Sequence, residues 1–322
     1  MVAELPPAVC ELARFQDGVI TRAQATGLGL TQGALRARVR AGYWVPLGRG
    51  VYRTFTGVPH RRSVLWAAVL QAGQGAVLSH QSAAEVDRLT GAPSAPSSSV
   101  YVSIPLGRRV DHIPGVVVHY SKRVAQARHP CLQPPRTRIE ETVLDLAHSA
   151  ATFDEAASWL CRAVGGRFTT AGRLAAAAEA RGRLRRRAGL LAALDEVGDG
   201  AHSVLELRYV RIERAHGLPR ARRQVRFSRD GRTIYRDNLY QEYSLAVELD
   251  GRAAHPAQAR WRDMRRDNAG LTDGVVTLRY GYADVTERPC QVAAEAGRVL
   301  QVRGWPGQPR RCGPGCAVGP GR

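Results

Sequence analysis

Lysine is almost missing from this chain: Lys122 stands alone, so nearly all of the 47 Lys and Arg residues are arginine. A GC-rich genome, whose codons favour arginine, accounts for that ratio. It does not account for the charge balance, because only 28 Asp and Glu residues oppose them and the formal net charge is +19. Such a surplus predicts a polyanionic partner, nucleic acid or an anionic membrane. The guanidinium fork suits phosphates and guanine edges, which favours nucleic acid. Long apolar runs are missing too. None reaches the roughly 18 residues of a membrane helix, no basic start leads into the apolar stretch of a secretory signal, and no basic amphipathic helix carries large apolar residues. A cytoplasmic protein with no membrane partner is expected. Disulfide spacing is likewise absent. Cys10, Cys131, Cys161 and Cys290 are scattered, and Cys312-Gly-Pro-Gly-Cys316 lies in a Gly/Pro-rich tail without a partner pair. That pair reads as incidental, with zinc not expected.

What is present is enough for two or three domains: 322 residues, at about 100–200 residues per domain. A hydrophobic content of 44% excludes wholesale disorder. The fold class expected is α+β and multi-domain. The divisions read from the chain are 1–58, 59–195, 196–303 and a disordered tail over 304–322.

Residues 8–55 predict three helices and a hairpin. Thr21-Arg-Ala-Gln24 is a capping-box pattern, Gly27-Leu-Gly29 makes a turn, and Thr31 caps a helix that runs to about Ala41 with Leu35 and Val39 on its apolar side. Gly48-Arg-Gly50 joins two strand-like runs. This order is that of a winged helix-turn-helix. Gln32, Arg36 and Arg40 stand four apart and share one helix face suited to a major groove, with Arg38 nearby and Arg49 on the wing for backbone contacts. The bland alternative is a solvated arginine face. Asp17-Gly-Val-Ile-Thr-Arg-Ala-Gln24, Leu35-Arg-Ala-Arg-Val-Arg40 and Gly42-Tyr-Trp-Val-Pro-Leu-Gly-Arg-Gly-Val-Tyr-Arg53 resemble the N-terminal domain of the AbiEi-like type IV antitoxins. The resemblance implies operator binding and autorepression, with a cognate toxin or a second copy of the chain as further partner.

Between residues 60 and 190 both periodicities mix, which predicts a central α/β domain. Ser63–Ala72 reads as helix, Val77–Ala84 as the approach to another, and Val100–Ile104 and Val116–Tyr120 as strands joined by a basic turn. Pro135–Ala147 resembles the helix of the antitoxins' central domain. His80 reads as a satisfied structural histidine. Five arginines at 181, 183, 185, 186 and 187 are either a solvated linker or a phosphate-contacting patch.

Residues 201–302 read as α-β-β-α-β-α, with a helix from Ser203, strands at Thr233–Tyr240, Leu245–Asp250 and Val275–Tyr280, a helix over 256–271 and a last helix after Pro289. In Leu245-Ala-Val-Glu-Leu-Asp250, alternation places Leu245, Val247 and Leu249 on one face and Ala246, Glu248 and Asp250 on the other. Folding the hairpin about Glu242-Tyr243 sets residues whose numbers sum to 485 opposite each other, so Asp237 meets Glu248. Opposed carboxylates are tolerated when solvated on an edge strand or when a divalent cation neutralises them.

Asp250-Gly-Arg-Ala-Ala-His255, Arg262-Asp263, Arg266-Asp267, Thr277-Leu-Arg-Tyr280 and Asp284-Val285 resemble a bacterial domain family related to very-short-patch repair endonucleases, with the PD-(D/E)XK restriction-endonuclease-like fold. The resemblance implies a Mg²⁺ site with Asp237 and Glu248 as metal ligands and Asp250 in place of the usual lysine. His255 would act as acid or base, Glu206 would approach from the helix, and Arg262 and Arg266 would sit on phosphates. Ser203-x-x-Glu206 is equally a capping box, and Arg262 and Arg266 equally an ion-pair lattice with Asp263 and Asp267. Asn238 stands where the family has an aromatic, and the zinc-binding cysteines of true very-short-patch enzymes are missing, so mismatch-specific nicking is not implied. Two readings follow: a DNA-binding Mg²⁺-dependent endonuclease, or an antitoxin-like regulator whose nuclease-fold domain is inert.

Overall fold

The computed structural model describes residues 4–48, 50–89, 99–201, 203–229, 232–250 and 274–319. The chain divides into two compact units, Met1–Ser149 and Ala150–Arg322, and each mixes helix with sheet.

The first unit opens with α1 (Pro7–Phe15), β1 (Val19–Thr21), α2 (Arg22–Gly27), α3 (Gln32–Arg40), β2 (Val45–Gly48) and β3 (Val51–Arg53). The strands form an antiparallel sheet in the order β1-β3-β2. The expected capping box is there: the Gln24 N–H donates to Thr21 Oγ1 at 3.1 Å while Gln24 Oε1 accepts from the Thr21 N–H at 2.9 Å. Thr31 caps α3 through the Ala34 N–H. Helices and sheet close on Val9, Ile20, Ala25, Leu30, Leu35, Trp44 and Tyr52, with Val39 partly buried beside them.

The same unit continues through α4 (Arg61–Ala72), β4 (Val77–Leu78), α5 (His80–Val86), β5 (Val100–Pro105), β6 (Val116–Ser121), α6 (Val124–Ala127) and α7 (Ile139–Ser149). β5 pairs antiparallel with β4 and parallel with β6, so the basic segment after β5 carries the chain back along the sheet before β6 begins. The helix expected from Pro135 begins only at Ile139. Arg136 and Thr137 are held extended by bridges to Leu78 and Arg128, and the Arg136 guanidinium lies 2.7 Å from Asp87.

The second unit stacks α8 (Phe153–Gly165), α9 (Ala171–Glu179), α10 (Arg187–Gly198) and α11 (Val204–His216) before a sheet of β7 (Arg222–Arg229), β8 (Arg232–Tyr240), β9 (Leu245–Asp250) and β10 (Val276–Gly281). α12 (Tyr282–Glu287) and α13 (Pro289–Val302) follow. The sheet order is β10-β9-β8-β7, with β9 and β10 parallel and the other pairs antiparallel. β7 is a strand that the sequence pattern does not announce, because Arg222-Arg-Gln-Val-Arg-Phe-Ser-Arg229 has only Val225 and Phe227 as apolar residues among four arginines. The helix expected over 256–271 lies outside the described residues. Leu205, Tyr209 and Ile212 of α11 pack with Leu245, Val247, Tyr280, Val292, Ala296 and Leu300 into one core.

The tail corrects an expectation. Its composition predicts disorder from Arg303 onward, yet Val318 is 5% exposed in that core and Cys316 packs against it. Two glycines let the tail approach. A Cβ on Gly297 of α13 would stand 2.1 Å from the Pro309 ring, and Gly217, at φ +66 just after α11, leaves room for Arg310. The Arg310 N–H donates to the His216 carbonyl at 2.7 Å.

Candidate functional site

Three places carry candidate chemistry. The first is α3. Its turn spacing sets Arg38 about 200° round the helix from both Arg36 and Arg40. Gln32, Arg36 and Arg40 are exposed, and neither arginine has a hydrogen bond or ion pair among the described residues. Arg38 is half-buried on the other side, where its carbonyl accepts the N–H groups of Tyr43 and Trp44. Arg38, expected near the row of Gln32, Arg36 and Arg40, thus lies on a different side of α3 from it. Tyr43, just past the end of α3, is 56% exposed, an aromatic that the arginine pattern did not point to. Arg49 lies outside the described residues. Beside the wing, Arg22 donates to the Tyr52 hydroxyl at 3.1 Å and its N–H to the Gly50 carbonyl at 2.7 Å.

The second place is the carboxylate group of the second unit. The β8–β9 ladder has the expected register, with Asn238 opposite Val247, Leu239 opposite Ala246 and Tyr240 opposite Leu245. Regular pairing stops at Asn238. Next to it, Asp237 Oδ2 accepts the Leu249 N–H at 3.0 Å and Oδ1 accepts Gln224 Nε2 at 3.3 Å. The same Gln224 amide donates to Glu206 Oε2 at 3.2 Å, so Gln224 joins the two carboxylates. Its backbone is left-handed, with φ +46, where β7 and β8 skip a pair between Arg223 and Val225.

Ser203 caps α11, its Oγ accepting the Glu206 N–H at 3.2 Å, but the reciprocal half of a capping box is replaced by a side-chain bond in which the Ser203 hydroxyl donates to Glu206 Oε1 at 2.9 Å. Glu248 is 6% exposed and faces Arg236 at 3.5 Å, while Arg236 donates to Thr277 Oγ1 at 3.1 Å. Because β9 lies inside the sheet, Glu248 does not solubilise an edge strand. Asp250 is half-buried at the end of β9. No three of Glu206, Asp237, Glu248 and Asp250 bring ligand oxygens together among the described residues. Both Asp237 oxygens are engaged by N–H groups, so as placed these carboxylates do not make a cation cage. His255, Arg262 and Arg266 lie outside the described residues.

The third place is a cluster that the sequence pattern does not announce. His216, Cys290, Cys312 and Cys316 bring one nitrogen and three sulfurs within 4.8 Å of one another.

Two further sites are structural. His80 is 8% exposed, bonds Ser79 Oγ through Nδ1 and stacks on His119 with centroids 3.9 Å apart. Within the arginine cluster, Arg186 donates to the carbonyls of Ala150 and Ala151, and Arg187 to those of Glu179 and Arg181. Those two close helix ends.

Comparison with known proteins bears on the first place. Residues 8–54 match the family described as "Transcriptional regulator, AbiEi antitoxin", a stretch that takes in α3 and its arginine row. The crystal structure of the RV2827C protein from Mycobacterium tuberculosis aligns at 18% identity over 59% of this chain and 81% of that one, with a TM-score of 0.39. At that level it carries no inference about fold. No curated protein matches the chain. No helix among the described residues is long and apolar enough to cross a membrane.

Proposed function

We propose that this chain is a DNA-binding transcriptional regulator of the antitoxin type, which reads a duplex through a winged helix-turn-helix in residues 8–54. The observation that carries the reading is the row Gln32, Arg36 and Arg40: exposed, on one face, and without internal partners for the two arginines among the described residues. An arginine that answers no charge inside the protein is suited to answer a phosphate or a guanine edge outside it. The similarity of residues 8–54 to antitoxin regulators supports the same reading. The order helix, strand, helix, helix, hairpin supplies the geometry, because α3 follows the tight turn after α2 as a recognition helix does. A cognate toxin is the partner that this reading implies.

The test is selection of bound duplexes from a random pool by the full-length chain, followed by salt titration on the enriched sequence. An enriched motif whose affinity falls steeply with salt, and which the Arg36→Ala, Arg40→Ala variant no longer selects, supports the reading. Equal selection by wild type and variant would overturn it.

A second reading, a Mg²⁺-dependent deoxyribonuclease in the second unit, draws support from one feature: Gln224 holds Glu206 and Asp237 together one strand away from Glu248. The engagement of Asp237 by N–H groups and of Glu248 by Arg236 opposes it. Plasmid nicking that needs Mg²⁺ and disappears in Asp237→Ala would establish this reading; wild-type protein that leaves plasmid intact with Mg²⁺ or Mn²⁺ would end it.

A further inference from the structure

We propose that His216, Cys290, Cys312 and Cys316 bind a structural zinc ion that clamps the tail onto the second unit. The four residues come from three separate places: the last turn of α11, the first turn of α13, and the tail. Sequence spacing therefore could not announce the set, and only folding assembles it.

The donor chemistry is selective. Three thiolates and one imidazole are a complement that closed, four-coordinate zinc sites use, with no position left for a substrate. Soft sulfur donors in tetrahedral array disfavour magnesium and calcium, which prefer oxygen. Two of the six separations match one tetrahedron, and the others lie within 4.8 Å. Zn–S bonds near 2.3 Å and Zn–N bonds near 2.0 Å put two sulfurs about 3.8 Å apart and a sulfur and nitrogen about 3.5 Å apart. Cys290 Sγ and Cys312 Sγ are 3.6 Å apart, and Cys316 Sγ is 3.6 Å from His216 Nε2. A disulfide between Cys290 and Cys312 would need a separation near 2.05 Å.

The histidine is already prepared. His216 is 2% exposed, and its Nδ1 lies 2.9 Å from the Ile212 carbonyl. A carbonyl only accepts, so Nδ1 carries the proton and Nε2 presents its lone pair toward Cys316. Zinc-bound histidines are oriented in this way by a backbone or carboxylate acceptor on the far nitrogen. Binding releases the protons of the three thiols to solvent and leaves the imidazole neutral, so no oxidant or reductant is involved.

The tail shows why a clamp is needed. Only Val318 of the tail is buried in the core, with Trp305 and Cys316 laid against it and the Pro309 ring seated over Gly297, and ordering so many Gly, Pro and Arg residues carries an entropic cost. Metal binding supplies folding free energy directly where a small apolar contact falls short.

The experiment uses the full-length chain, purified under reducing conditions without chelator. Elemental analysis should find about one zinc per chain, and Cys312→Ser and Cys316→Ser should each lose most of it while Cys10→Ser and Cys131→Ser keep it. Should either serine variant fail to fold, cobalt titration of chelator-stripped wild type provides the second readout: thiolate-to-cobalt charge-transfer and tetrahedral ligand-field bands that zinc abolishes. Trypsin cleavage at Arg310 and Arg311 should accelerate by about tenfold or more when zinc is removed. Wild-type protein without stoichiometric zinc and without a cobalt spectrum, or peptide mapping that finds Cys290 joined to Cys312 as a disulfide, overturns the proposal.

Discussion

Arginine serves opposite ends in two regions of this molecule. On α3, Arg36 and Arg40 face outward without internal partners among the described residues. In the second unit, Arg223 and Glu213 make a two-pronged ion pair with both side chains 4% exposed, and Glu213 also accepts the Tyr240 hydroxyl at 2.7 Å and the Ala221 N–H at 3.2 Å. Arg208 pairs with Asp154, Arg214 with Glu196, and Arg303 caps the carbonyls of Tyr243, Ser244 and Gly274. A net charge of +19 therefore says that a polyanion is favoured, but not where it docks. The proposed docking face on α3 is distinguished by cations left unengaged among the described residues, not by cations in number.

The sharpest way to test the contrast is to remove an inward arginine. Arg223→Met leaves Glu213 buried with its charge unmatched, and breaking such a pair costs about 3–5 kcal/mol. Urea unfolding of the second unit should show the loss, with DNA affinity of any still-folded protein unchanged. A cost below about 1 kcal/mol, the range of exposed pairs, would mean that Arg223 is no more internal than Arg36. The converse substitution is Arg36→Ala with Arg40→Ala. Stability should stay within about 0.5 kcal/mol, while the slope of log affinity against log salt should become shallower by about 0.9 for each phosphate no longer neutralised. An unchanged slope would remove α3 from the interface.

A half-buried imidazole extends the comparison beyond arginine. Burial holds His119 below its ordinary range, and its Nε2 is buried without a hydrogen-bond partner among the described residues. A depressed folded pKa means that the unfolded chain binds the proton more readily, so stability is complete above the ordinary value of about 6.5 and falls as pH drops below it. Melting of the first unit from pH 7.5 to 5.5 should show this decline, and His119→Asn should flatten it. The smallest effect belongs to Arg183, exposed in the arginine cluster: Arg183→Ala should change neither stability nor DNA affinity measurably, and a shallower salt dependence there would make the cluster a phosphate patch after all.

Local rules make much of this legible from the residues alone. Thr21 with Gln24, and Thr31 before α3, are capping patterns that need only three or four neighbouring residues, and both form as expected. β9 runs from Leu245 to Asp250 as its alternation implies, and the β8–β9 register follows from the turn. The limits are equally physical. Arg38 groups with Arg36 and Arg40 by proximity in sequence, although helix geometry turns it away. β7 hides because its arginines mask the strand period. The bridging role of Gln224 depends on an irregularity in the β7–β8 ladder that no propensity encodes. The cysteine and histidine cluster depends on the approach of His216, Cys290 and the tail, three places far apart in the chain that no local rule joins. Its one legible hint is Cys312-Gly-Pro-Gly-Cys316, whose separation falls within the spacing of zinc-ligand pairs but reads as incidental without its two distant partners.

The docked tail has a consequence for how the protein is made. Domains generally fold in order as they leave the ribosome. Everything that the first unit packs lies before residue 150, so it can close while the second half is still being synthesised. The core of the second unit includes Val318, so it cannot close until synthesis has passed that residue. For that interval the nascent chain carries a closed first unit and an unsealed second one, and it is the second half that a chaperone would need to shield.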